Sequence, residues 1–109
     1  MAQTLKVLGQ AALAATTLTD VYTVPAATTA AVSTITVCER SGAGTTYRLS
    51  IAVAGAADAT KQYIAYGVTL AANETQTLTL GISLGAGEVV RAYAGAATVS
   101  VNVFGVENT

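Results

Sequence analysis

The chain has no histidine and no tryptophan, and only one cysteine, one proline, one methionine and one phenylalanine among its 109 residues. Without histidine, no side chain titrates near neutrality at its ordinary pKa. The usual base for a serine or cysteine nucleophile is therefore missing. With a single cysteine, the common ligand set of zinc is missing too, and no internal disulfide can close. Charge is equally scarce. Five Lys/Arg and six Asp/Glu give a net charge of −1, and charged residues make up 10% of the chain against roughly 25% in an average soluble domain. The basic residues Lys6, Arg40, Arg48, Lys61 and Arg91 stand singly, so no basic patch forms to displace counterions from phosphates. Nucleic acid is not an expected partner. No run of about 18 apolar residues is present, so no membrane-spanning helix is expected. Lys6 followed by Val7–Ala15 has a faint signal-peptide character, but Gly9 and Gln10 interrupt it, and it is read as part of the folded protein.

The carboxylates do not repair this chemical poverty. Asp20, Asp58 and the glutamates are spread along the chain, with no acidic loop for calcium. Glu39, Glu74 and Glu88 each flank a turn, where solvated charge is the ordinary reading. Ser41-Gly42-Ala43-Gly44 and Gly85-Ala86-Gly87 lack the lysine and the following helix of a phosphate loop, and are read as turns. Asn73-Glu74-Thr75 matches the glycosylation triplet without a secretory context and is taken as chance. No catalytic residue, metal or cofactor is expected, and the chain is not expected to be an enzyme.

What is abundant is small and β-branched. There are 23 Ala and 18 Thr, and Val, Leu, Ile and Phe together number 27, enough to build a core. The dominant period is two, the signature of half-buried strands. Tyr47, Leu49, Ile51 and Val53 alternate with polar or small residues. So do Ile64, Tyr66, Val68 and Leu70, then Leu78, Leu80, Ile82 and Leu84, then Val99, Val101 and Val103. Turn signals separate the segments. The spacing predicts about eight strands, near 4–8, 18–24, 30–40, 45–54, 62–70, 74–84, 88–94 and 98–106. The expected fold class is all-β: an antiparallel β-sandwich, jelly-roll-like. Residues 1–17 are expected as an N-terminal strand and arm, with Ala11–Thr17 either a helical turn or extended. Residues 18–109 form a single sandwich domain with Leu49, Ile51, Val68, Leu78, Leu80, Ile82, Val101 and Val103 in its core.

Register suggests hairpins. Leu70 opposite Glu74 places Tyr66 against Leu78, and Leu84 opposite Glu88 places Ile82 against Val90. In both loops the third residue, Asn73 or Gly87, tolerates the left-handed conformation such loops need. The alternative is a jelly roll in which consecutive strands sit in different sheets and these residues meet across the core. Pairing of the 30–40 and 45–54 strands likewise sets Cys38 opposite Arg48. Val89, Tyr93, Phe104 and Val106 lie off the core-facing parity of their strands. Apolar residues at outward positions of so weakly charged a chain mark a candidate subunit interface. The uncharged segment Gly9–Thr17 is a candidate arm to a neighbour.

The run Leu18-Thr19-Asp20-Val21-Tyr22-Thr23-Val24-Pro25, the strand Ala31-Val32-Ser33-Thr34-Ile35-Thr36-Val37-Cys38, and Leu84–Tyr93 with the closing Val101–Glu107 resemble a pattern in small virion proteins of tailed bacteriophages. The resemblance implies a capsid decoration (cement) protein or a small tail component. Decoration proteins of this type are often trimeric β-sandwiches seated on capsomer junctions. The implied partners are the chain itself, as a homotrimer, and the major capsid protein. The implied location is the outer capsid surface of a virion assembled in the host cytoplasm. Two other roles stay open: a tail or fibre component, and a sugar-binding module using Tyr22, Tyr47, Tyr63, Tyr66 and Tyr93.

Overall fold

A chain alternating Thr with Val, Leu or Ile prefers extended structure, because branched side chains pack well on a pleated surface. The computed structural model describes residues 2–109. It forms strands β1 (Gln3–Ala12), β2 (Thr19–Thr23), β3 (Thr29–Glu39), β4 (Thr45–Ala52), β5 (Tyr63–Leu70), β6 (Thr75–Leu84), β7 (Val89–Ala94) and β8 (Val99–Asn108). Two short 3₁₀ turns, Val53–Gly55 and Thr60–Gln62, interrupt the β4–β5 connection. The strands make two four-stranded sheets, ordered β1-β8-β3-β6 and β2-β7-β4-β5, called sheet A and sheet B below. The eight strands pair antiparallel throughout, β1 with β8, β2 with β7, β3 with β6 and β4 with β5, and an isolated bridge between Ala15 and Ala94 is parallel. The chain is thus one long hairpin rolled up on itself, the jelly-roll form of the β-sandwich.

This topology corrects the expected hairpins. β4 and β5 are the only consecutive strands that lie side by side. Leu70 and Glu74 bracket a crossing from sheet B to sheet A, and Leu84 and Glu88 a crossing back. Cys38 lies beside Thr75 and Ser100 in sheet A, and Arg48 beside Tyr93 in sheet B. The turns themselves are as expected. Asn73 and Gly87 take positive φ, 55° and 81°. Glu74 accepts a hydrogen bond from the Ala71 N–H at 2.8 Å, and Glu88 accepts one from the Gly85 N–H at 2.8 Å. Both glutamates, expected as free solvated charges, therefore close the turns they follow.

The core lies between the inner faces. Ile35, Val37, Val99, Val101 and Val103 of sheet A meet Tyr47, Leu49, Val90 and Ala92 of sheet B, all at most 1% exposed. Burying one such side chain stabilises the fold by about 1.5–3 kcal/mol. Of the expected core, Leu49, Val101 and Val103 are fully buried. Ile51, Val68, Leu78, Leu80 and Ile82 pack against it half-buried. Four of those five sit on β5 and β6, which are edge strands and so are covered from one side only.

One glycine overturns an expected face. Gly67 adopts φ 65°, a conformation that costs a residue with a Cβ about 1–2 kcal/mol. The β4–β5 register jumps there from Tyr47↔Val68 to Leu49↔Ala65. Beyond this bulge the parity of β5 inverts. Ala65 turns inward, while Ile64 and Tyr66, expected inside, are 47% and 62% exposed. The Gly9–Thr17 segment is also tied down. β1 runs on to Ala12, and Leu13 is 2% exposed with its N–H bonded to Val99 O at 2.9 Å. The Thr16 N–H then reaches Ala94 O at 2.8 Å. The segment is an extended crossover from sheet A to sheet B, neither a helical turn nor a free arm.

Polar side chains clasp the two sheets. The Tyr22 hydroxyl donates to Glu107 at 2.6 Å, and Lys6 approaches the same carboxylate at 3.1 Å. These bonds hold Glu107 below the ordinary carboxylate range, the tyrosine bond being the larger influence. Burial, aided by Glu107, pushes the Tyr22 hydroxyl well above its usual value. The Tyr47 hydroxyl donates to Gln76 at 2.7 Å, and the Gln76 amide donates to Thr69 O at 2.8 Å.

Two candidate interaction faces

Phe104 and Val106 are on the outer face of sheet A, as their parity indicates, and each is half-buried. Register shows what accompanies them. Leu5, Val106, Ala31 and Ser83 form one outward row across all four strands. Val7, Phe104, Thr34 and Thr79 form the next. β1 slips only past the second row, at Leu8; between the two rows β3 slips at Ser33 and β6 at Leu80-Gly81. The slips leave a shallow groove of about 570 Å³ whose lining includes Leu5, Phe104 and Val106 beside the small residues Ala31, Gly81 and Gly105. Leu5 is 84% exposed and Val7 46%, a large uncovered apolar surface for so small a domain.

The rest of this face is polar without charge. Gln10, Asn102, Thr36 and Thr77 make the third row, and Ala12, Ser100, Cys38 and Thr75 the fourth. At the far end Gln3, Asn108 and Thr29 make another. No row on the outer face of sheet A carries a charged residue. The nearest charges, Lys6 and Glu107, have inward parity and pair at 3.1 Å, although Lys6, its side chain 45% exposed, also borders the groove.

Val89 and Tyr93 do not join this face. Both belong to β7, on the opposite sheet. Val89 has outward parity, beside Ala52, but is 4% exposed. The Val53–Gly55 turn folds back onto β7 there. Arg91 pins that connection by donating to Ala56 O at 2.7 Å, while bonding Asp20 across the sheet at 2.9 Å. Gln62, 8% exposed, ties the same segment through Ala57 O at 2.8 Å. Val89 is thus removed from the expected interface by its own chain.

Tyr93 stands half-exposed on the outer face of sheet B. The Arg48 guanidinium lies over its ring at 4.4 Å and over the Tyr66 ring at 4.3 Å. Tyr63 meets Tyr66 edge-on at 5.0 Å and donates its hydroxyl to Asp58 at 3.1 Å. The tyrosines considered for sugar stacking therefore divide. Tyr22 and Tyr47 are buried between the sheets, whereas Tyr63, Tyr66 and Tyr93 gather on one face.

No cluster of three or more His, Cys, Asp or Glu residues occurs among the described residues. The buried carboxylate of Glu39, 1% exposed, is engaged structurally. The Thr98 hydroxyl, followed by the hydroxyl and N–H of Ser41, holds it below the ordinary range. The Ser41 bonds are both 3.0 Å, while Glu39 Oε2 and Thr98 Oγ1 make no bond of full geometry. Among the described residues no helix is long and apolar enough to cross a membrane. No protein-family model, curated protein or solved structure matches the chain.

Proposed function

We propose that this chain is a non-catalytic structural protein, working as a homo-oligomer that decorates the outer shell of a tailed-phage capsid. The observation that carries the assembly is the outer face of sheet A, uncharged in every row and grooved around Leu5, Phe104 and Val106. Desolvating such a face incurs no charge penalty, and burying its apolar half is favourable at about 25 cal/mol per Å². The other routes of self-association are blunted. All four edge strands, β1 and β6 of sheet A and β2 and β5 of sheet B, carry a register slip, which twists an edge away from pairing with another chain. The capsid location and the trimer rest on the resemblance of the 18–107 pattern to decoration proteins.

The mechanism needs no chemistry. A subunit that binds only the mature shell stabilises that shell by mass action. Symmetry-repeated contacts of modest area then add through avidity. The test is a comparison of particles with and without the protein. Particles lacking it rupture at lower temperature and under milder osmotic shock, and adding purified protein restores them. Particles of equal robustness that fail to infect would assign the chain to the tail instead.

A further inference from the structure

We propose that the Tyr93–Arg48–Tyr66 stack on the outer face of sheet B, with Tyr63 and Asp58 beside it, is a binding site for an acidic saccharide. It lies on the opposite side of the domain from the assembly face and does not depend on that reading.

β7, β4 and β5 run side by side, so Tyr93, Arg48 and Tyr66 form a cross-strand row. The Gly67 bulge inverts the parity of β5 and brings Tyr66 into it. The guanidinium carbon lies 4.3 and 4.4 Å from the two ring centroids, so cation–π contact holds it between them. Its N–H donors form the planar fork that matches a carboxylate. The molecule supplies no carboxylate to them. The ion pairs of the described residues are Lys6–Glu107 and Arg91–Asp20, and Arg48 is in neither. The nearby acid, Asp58, accepts the Tyr63 hydroxyl at 3.1 Å, and Arg48 interacts with that same hydroxyl, so Asp58 reaches Arg48 only through Tyr63.

An arginine held between aromatic rings, with no carboxylate in direct contact, is prepared for an anion from outside. The anion's scaffold follows from the surroundings. Tyr66 is 62% exposed, and an open tyrosine ring stacks well on the C–H face of a sugar. Tyr63 and Asp58 add a hydroxyl and a carboxylate, which hydrogen-bond sugar hydroxyls. A free phosphate or sulfate uses only the fork, and a neutral sugar uses only the ring. A uronic or sialic acid uses both.

The test is direct titration of the full chain with a panel of galacturonate, alginate and sialylated oligosaccharides. Their neutral counterparts and inorganic phosphate serve as comparison probes, with binding read by chemical shifts or calorimetry. An acidic oligosaccharide binds at least about tenfold more tightly than its neutral counterpart, and added salt weakens it. Arg48→Met and Tyr66→Ala each lower that affinity about tenfold or more, with the melting temperature of Tyr66→Ala within a few degrees of the parent. Tyr66→Ala carries the test if Arg48→Met fails to fold. Absence of binding across the panel, equal binding of neutral and acidic sugars, or unchanged affinity in Tyr66→Ala each overturns the proposal. Binding of phosphate as tight as that of the acidic sugars overturns the saccharide and leaves only an anion site.

Discussion

Leu49→Ala is the most informative single perturbation of the fold. Leu49 is 1% exposed at the middle of β4, in register with Ala65 of β5 and Ala92 of β7. Its lateral neighbours on the inner face are thus a methyl group on either side. Truncation removes most of the side-chain volume from that row, and the flanking alanines are too short to fill the space. Large-to-small core substitutions cost about 2–5 kcal/mol, the upper end applying where the site cannot collapse. A loss of about 4 kcal/mol is expected. In urea, with m of about 1–3 kcal/mol/M for a domain of this size, the midpoint falls by about 2 M. Leu80→Ala is the control. Leu80 lies half-buried on edge strand β6 beside a register slip, and a cost of about 1–2 kcal/mol is expected there. Both variants are measured at one protein concentration, because association adds to apparent stability. Equal losses at the two positions, or a Leu49→Ala loss below about 1 kcal/mol, would refute the assignment of the central and edge core.

Three further outcomes follow from other parts of the molecule. Glu107 is held below the ordinary carboxylate range by Tyr22 and Lys6, so its contribution is complete above about pH 4.3, the unfolded value. It is lost as pH falls through the folded value. Thermal melts between pH 6 and pH 2 therefore fall less steeply for Glu107→Gln than for the parent. Tyr22, raised above its usual 10 mainly by burial, contributes stability below about pH 10 that declines at higher pH, and Tyr22→Phe flattens that alkaline limb of the same melts. Gly67→Val forces a branched residue into positive φ at the β5 bulge and costs at least about 1 kcal/mol by urea unfolding.

The sandwich was legible in the sequence because its period of two is nearly unbroken and its turns are chemically marked. Asn73 and Gly87 were identifiable as positive-φ positions from residue type alone. Sheet membership was not legible. Parity says which side chains point inward, and Ile82 and Val90 meet that condition equally whether they pair in one sheet or face each other across the core. The slips at Leu8, Ser33 and Gly67 were hidden as well, since each depends on the partner strand. Gly67 alone misplaced Tyr66 and Ile64, and so concealed the Arg48 stack. Phe104 and Val106 lie on the outer face of sheet A and Tyr93 on that of sheet B, each where parity put it. Leu5 and Val7 had an outward alternation in plain view, but no partner row to give it meaning. Val89 was lost to a connection whose path is set by the local Gln62–Ala57 bond and by Arg91, a contact 35 residues distant that no local pattern encodes.

If copies of this chain meet through the outer face of sheet A, the association is visible in solution. Sedimentation equilibrium of the purified protein, beside a Phe104→Glu variant, tests it most directly. Phe104 is half-exposed in that face, so a glutamate there is tolerated by the monomer but places a charge in a contact with no counter-ion. The account predicts a trimer for the parent and a folded monomer, with unchanged far-UV circular dichroism, for the variant. A parent that stays monomeric at high concentration, or a variant that assembles as well as the parent, would contradict it.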